Sequence, residues 1–385
     1  MHTGGLLLIL VQIAVILVVT RVVGYFLGKI GQPPAIGEII GGTILGHVGL
    51  VLFMFVVGTE IDLSVVRKRA RAVIVICQSS IVVPFLLGLA GGYWLYRELA
   101  PPGVSFLSWE LFIGISVSIT AFPVLARILR ERGLSGSKAG ILALTCAALD
   151  DVLSWCMLAV VVAIVKAQSA WGSIYTIAFA IVFVSLMLIV VRPLLRKWLA
   201  AEGEQGEVKR GTMVILFLLL LVSSSLAELI GIHALFGAFL AGVVVPQNQN
   251  FRKSIVDKVE HVSVILLMPL FFAFSGLRTQ IGLLSGDGMW VTCLLVTLGA
   301  IVGKFGSTAL AARLVGENMK DSCTLGALMN TRGLIELVVL NIGYDLGVLP
   351  PNVFTMMVLM ALITTFLTCP ALDLINRVMY EVRPG

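Results

Sequence analysis

Charge is what this chain has least of. Asp, Glu, Lys and Arg together make up 12% of its 385 residues, against about 25% in soluble domains, and that scarcity excludes a water-soluble globular fold. Histidine occurs only four times. The six cysteines (Cys77, Cys146, Cys156, Cys293, Cys323 and Cys369) stand in or beside apolar runs without metal-type spacing. They read as small buried hydrophobes, not as a zinc site or a disulfide framework. No basic segment precedes the first apolar run, Leu6 to Val19, while Arg21 and Lys29 follow it. A cleavable signal is therefore not expected, and the run reads as a span whose N-terminus lies outside.

What the chain has instead is apolar length. Hydrophobic residues are 59% of the sequence and the mean hydropathy is +1.06. A membrane-crossing helix needs about 20 mainly apolar residues, and on that measure the chain offers thirteen candidate spans. They are residues 6–28, 33–46, 47–62, 70–95, 108–131, 136–166, 171–197, 211–228, 232–246, 261–276, 288–314, 321–345 and 351–379. The fold class expected is an all-α polytopic membrane protein. The net charge of +6 and pI near 9.1 raise nucleic acid as a partner, but the basic residues cluster in short loops between apolar runs. With the N-terminus outside, 21 of the 27 Lys and Arg fall on the cytoplasmic side. That asymmetry sets orientation, places the C-terminus in the cytoplasm, and leaves nucleic acid no role.

Weak internal repetition runs through the spans. Gly37 and Gly42 correspond to Gly237 and Gly242; Leu52-Phe53 and Gly58 correspond to Leu270-Phe271 and Gly276; Thr120 to Pro123 corresponds to Thr331 to Gly333. Each match joins spans seven apart, and an odd spacing means opposite insertion. Spans 1–6 and 8–13 are thus expected to form inverted repeats, the architecture of many secondary transporters. Only nine residues separate Gly42 from Leu52, where 27 separate Gly242 from Leu270. Two helices cannot reverse in so short a stretch, so a connection is expected to be missing near Gly46.

Against this apolar background a few polar residues stand out. Asp150 and Asp151 are adjacent inside the run Ile141 to Val165, and Lys304 lies equally deep in span 11. A charge at the bilayer centre costs about 2.5 kcal/mol or more, so such residues signal a function. Neighbouring helical residues point about 100° apart, so the two acids face different surroundings. One is expected to be neutralised by Lys304, leaving the other open to hold either a proton or a metal cation. Ser154, one turn on, offers a further oxygen. Pro123 is expected to break span 5 beside Ser118 and Thr120, and Asn330, Thr331, Arg332 and Gly333 to mark a mirrored break in span 12. Unwound backbone at membrane depth frees carbonyls that coordinate ions. Arg332 and Glu336 stand at i,i+4 and are expected to pair.

These stretches resemble the second cation/proton antiporter branch of the monovalent cation:proton antiporters, the sodium/hydrogen exchanger superfamily. The resemblance rests on Gln32 to Glu38, Gly58 to Asp62, Ala121 to Arg127, Ala148-Leu149-Asp150-Asp151, Gly231 to Gly237 and Asn330 to Leu337. It implies two crossing broken helices, spans 5 and 12, beside the aspartates. It implies a dimerisation scaffold (1–62 and 210–282), a transport core (70–166 and 288–385) and a linker helix (171–197). It implies that Asp151 binds the transported monovalent cation and the proton, while Asp150 pairs with Lys304. The expected function is exchange of Na⁺ or K⁺ for protons by elevator-like alternating access, electrogenic, in a homodimer of a bacterial inner membrane. The lipid bilayer is its medium, and no cofactor and no enzymatic activity are expected. Two other readings bear on the same residues. An intramembrane aspartyl protease needs facing acids from separate helices, which adjacent residues cannot supply. A sodium-coupled organic-solute symporter needs a polar substrate cavity, and labelled-solute flux separates it from exchange.

Overall fold

A computed structural model describes residues 50–52, 54–56, 58–59, 70–167, 170–201, 210–246, 275–276, 278–286 and 288–380. The expectations for spans 1, 2 and most of 10, the Gln32 to Glu38 stretch, Glu60 and the connection near Gly46 lie outside these residues. Among the described residues every regular element is helical. Six helices are long and apolar enough to cross a membrane, and Phe106–Ser118 and Ala234–Val243 are shorter apolar helices.

In chain order the helices are α1 (Ala70–Leu99), α2 (Phe106–Ser118), α3 (Phe122–Glu131) and α4 (Lys138–Ala167). Helix α5 covers 170–201 through a π turn at Met187–Val191. Then come α6 (Arg210–Ile230) and α7 (Ala234–Val243). Helix α8 (Met289–Leu314) carries a π turn at Val302–Gly306, and α9 (Met319–Met329), α10 (Leu334–Asp345) and α11 (Pro351–Tyr380) follow. A 30-residue helix such as α1 rises roughly 45 Å, more than the hydrocarbon core it must cross. Within lipid the helix is favoured because it satisfies each backbone N–H and C=O internally.

The described residues fall into two compact units, one within Met1–Asp62 and Lys166–Leu277, the other within Leu63–Val165 and Arg278–Gly385. In the first unit small residues allow backbone to approach backbone. A Cβ on Gly58 would meet the Phe239 carbonyl oxygen at 2.1 Å, and one on Gly242 would meet that of Phe55 at 2.1 Å. Apolar solvent gives helices no hydrophobic drive to associate, so close van der Waals packing at small residues takes its place. The turn between α6 and α7 is fixed by Glu228. Its carboxylate accepts from Lys166 Nζ at 2.9 Å and from the Ala234 amide at 2.9 Å, at the start of α7.

The second unit packs around a core of Val73, Ile76, Leu125, Ala143, Cys146 and Leu328. Ala139, Ala143 and Ala147, one turn apart on α4, are all buried, giving a small-residue stripe against which neighbours close. Helices α1 and α2 meet at Gly88, where a Cβ would lie 2.7 Å from the Gly114 Cα. Outward faces are apolar too: Tyr93 is 63% and Phe366 77% exposed, as side chains bathed in lipid should be. Polar ties lie at the helix ends. Arg278 reaches Asn341 Oδ1 at 3.0 Å and Asp345 Oδ1 at 2.7 Å, and Lys138 pairs with Glu317 at 2.5 Å.

Candidate functional site

Two helical lines in the second unit are interrupted, and the interruptions meet. Helix α2 ends at Ser118 and α3 begins at Phe122; the Ile119 and Ala121 between them are extended, with φ, ψ of −74°, 142° and −97°, 100°. Helix α9 ends at Met329, and Asn330 to Gly333 lead into α10. The Ala121 amide donates to the Thr331 carbonyl at 3.0 Å, and Thr120 Oγ1 donates to the Met329 carbonyl at 3.1 Å. Each break therefore satisfies part of the backbone that the other leaves open, which unwound chain in lipid requires.

Pro123 lies directly after the break, as the sequence suggests, because a proline disrupts the turn that precedes it. It sits in the first turn of α3, where a proline costs nothing because those amides lack helical acceptors anyway. Pro84 and Pro370 lie inside α1 and α11, and both helices continue. The interruption lies just before Pro123, at Ile119 to Ala121, and proline sets the restart.

The half-helix ends attract charge of the matching sign. The last carbonyls of a helix have no intrahelical partner, and its C-terminus carries partial negative charge. At the end of α2, Arg332 donates to the Ser116 carbonyl at 2.9 Å and to that of Val117 at 2.5 Å. Lys304 Nζ donates to the Ser118 carbonyl. At the positive start of α3 the Phe122 amide donates to Asp151 Oδ1, long at 3.4 Å. Ser118 enters through its carbonyl, while its hydroxyl donates to Ile115 O at 3.0 Å.

Lys304 reaches this point from a π turn in α8, a helix irregularity that recurs at functional sites. Its ammonium lies 3.1 Å from Asp150 Oδ2, with both side chains wholly buried. Arg332 Nη1 lies 3.4 Å from Glu336 Oε2, also wholly buried. Neither Glu336 oxygen makes a directed hydrogen bond among the described residues, so that contact is one of charge. Thr365 Oγ1 accepts from the Arg332 amide at 2.8 Å and donates to its carbonyl at 2.9 Å, pinning the second break to α11.

The pairing leaves one acid over. Asp150, Asp151, Lys304, Arg332 and Glu336 are each no more than 1% exposed. Among the described residues Lys304 pairs with Asp150 and Arg332 with Glu336, while Asp151 has no salt bridge. Among the described residues, Asp150 Oδ1, Asp151 Oδ2 and Asn330 Oδ1 are buried without a hydrogen-bond partner. Ser154 is buried at 2%, one turn along α4 from Asp150. The sequence reading singled out Asp150, Asp151, Lys304, Thr120, Thr331, Arg332, Gly333 and Ser154. It also marked Asn330 as part of the second break, and it missed Thr365 and the carbonyls of Ser116 and Val117.

Comparison with known proteins agrees with this picture. The family described as sodium/hydrogen exchanger, transmembrane, matches residues 5–374. The Na⁺/H⁺ antiporter NhaS4 of Synechocystis is 37% identical over 399 aligned positions, covering 96% of this chain and 97% of that protein. Those positions outnumber this chain's 385 residues, so NhaS4 carries residues that this chain lacks. The Arabidopsis thaliana cation/H⁺ antiporter 19 is 36% identical, with coverage of 96% and 50%. The K⁺/H⁺ antiporter 1 of Saccharomyces cerevisiae is 31% identical, with coverage of 97% and 47%. The chain thus spans about half the length of these two. The sodium proton antiporter MjNhaP1 of Methanocaldococcus jannaschii shares the fold, with a TM-score of 0.65 at 15% identity over 96% of this chain and 98% of that one. A full-length family match, relatives of this closeness and helices that cross membranes lead to one conclusion: the chain belongs to the sodium/hydrogen exchanger family, and is an integral membrane cation:proton antiporter, a transporter and not an enzyme.

Proposed function

We propose that this antiporter exchanges Na⁺ or K⁺ for protons at Asp151, and that the observation carrying the assignment is the imbalance of buried charge. Among the described residues, three acids and two bases are fully buried around the two breaks, leaving one negative charge in excess there. An unpaired buried carboxylate is costly, and a single bound cation or proton neutralises it. Because each ligand cancels the same charge, binding one weakens the other, and that competition is the coupling step. Asp150 is the partner of Lys304 and takes part in the proton balance through that pair. Thr120, Ser154, Thr331, Asn330 and the freed carbonyls are the oxygens from which a dehydrated ion's shell is built.

The remaining parts of the reading follow the same logic. The chain is arranged in thirteen spans, with inverted repeats and two crossing broken helices. The unit holding the buried charges is the transport core, and the other unit supplies the scaffold, the linker helix and a homodimer contact. Elevator-like movement of the core carries Asp151 from one face of a bacterial inner membrane to the other, with the N-terminus outside and the C-terminus in the cytoplasm. Two protons move per cation, so transport shifts charge. Relatives named for sodium and for potassium support both ions as cargo.

The test is reconstitution into liposomes carrying a pH-sensitive dye, with Na⁺, K⁺ and Li⁺ gradients in turn. Proton movement driven by Na⁺ or K⁺ is expected. No proton movement with either ion, or flux of a labelled organic solute in place of protons, overturns the reading.

A further inference from the structure

The second unit holds a cavity of about 340 Å³ that the exchange chemistry does not use. It lies between α1, α2 and the first half of α8, and its inner wall includes the buried Ile113, Val117 and Ala300. Among its lining residues none is charged, and only Trp94 has a polar atom in its side chain. Glycine makes the space: a Cβ on Gly91 or Gly299 would have no heavy atom within 4 Å. By contrast Gly88, on the same wall, is filled against Gly114. The volume falls within the range of about 300–1,000 Å³ typical of small-molecule sites.

The mouth decides what enters. Leu87, Trp94 and Leu295 line the cavity and are 45%, 53% and 50% exposed, on helices long and apolar enough to cross a membrane. The medium at that opening is acyl chain, not water. One turn beyond Trp94, on the same helical face, the exposed Arg97 stands in the last turn of α1. A guanidinium there complements a phosphate, which arginine binds in bidentate fashion. We propose that the cavity is a phospholipid site: one acyl chain lies along Gly91 and Gly299, and the phosphate of the same lipid meets Arg97.

Such a lipid touches the antiport site from behind. Val117, in the cavity wall, gives its carbonyl to Arg332, and Ala300 lies two residues before the π turn and one turn before Lys304.

Occupancy is read without transport, so its failure is distinct from failure of the exchange reading. The intact protein is reconstituted in vesicles of phosphatidylglycerol and phosphatidylcholine with a diazirine on one acyl chain, irradiated, digested and mapped by mass spectrometry. The expected label concentrates on α1 and α8 at the residues lining the cavity. It is lost in Gly299→Leu and in Gly91→Leu, while labelling of the outer face of α11 persists. A parallel arm with diazirine-labelled free fatty acid is expected to label the cavity weakly. Label spread evenly over all lipid-facing helices, unchanged cavity labelling in both leucine variants, or labelling by the fatty acid alone overturns the proposal.

Discussion

Asp150 and Asp151 are neighbours in sequence, yet one faces the Lys304 ammonium and the other a helix N-terminus. The difference comes from the turn of the helix: 100° per residue sends one carboxylate toward α8 and the other toward the restart at Phe122. Removing one member of a buried pair leaves the other charge uncompensated, which costs about 3–5 kcal/mol. Lys304→Ala is therefore expected to lower thermal stability in detergent strongly, and adding Asp150→Asn to recover much of the loss. If the double variant is no more stable than the single one, the two side chains are not energetically paired. Lys304→Ala is also expected to alter the pH dependence of exchange. The acids and Lys304 were legible because a charge in an apolar run announces itself. So was the Arg332–Glu336 pair, but the backbone partners of Arg332 were not: its guanidinium binds the carbonyls of Ser116 and Val117, 216 and 215 residues away, and a carbonyl leaves no trace in residue identity.

At the scale of the element, the first interruption falls in the turn before Pro123, and contact between the two breaks satisfies backbone that each leaves open. Sequence reading placed both breaks in the right stretches because polar and helix-weakening residues cluster there. Pro123 stands directly after the first break, whose extended residues lie in the turn a proline disrupts, while Pro84 and Pro370 lie inside helices that continue, so proline alone does not mark a break. With Pro123 in the first turn of α3, Pro123→Ala is expected to cost about 1 kcal/mol or less, mainly through unfolded-chain entropy. Complete loss of folding or of exchange in that variant contradicts this placement. Gly333 is tighter. A Cβ there would lie 2.8 Å from Val124 Cγ2 and 3.1 Å from Ala121 Cβ, so Gly333→Ala forces the two breaks apart. Overpacking of this kind costs about 1–3 kcal/mol. The variant is expected to lose stability, and Val124→Ala to restore it; thermal unfolding of the three proteins decides.

At the scale of the whole molecule, the chain returns twice to each unit: Leu63–Val165 and Arg278–Gly385 form one, and the stretches within Met1–Asp62 and Lys166–Leu277 form the other. Membrane class was plain from composition, because nothing else explains so little charge and so much apolar length. Short spans and their connections were not, since a stretch of ten apolar residues fits a half-helix as well as part of a crossing. If two protons move per cation, turnover carries net charge and must respond to voltage by about 2.3 kcal/mol per charge per 100 mV. An imposed potential is thus expected to change the exchange rate in liposomes, reversing its effect with sign, and indifference to potential argues for one-for-one exchange.

The most direct measurement is proton release from the purified protein in weakly buffered detergent solution when Na⁺ or K⁺ is added. The wild type is expected to release protons in a saturable manner, because the arriving cation displaces them from Asp151, and Asp151→Asn to release none. Undiminished release from Asp151→Asn contradicts the claim that cation and proton compete for this carboxylate.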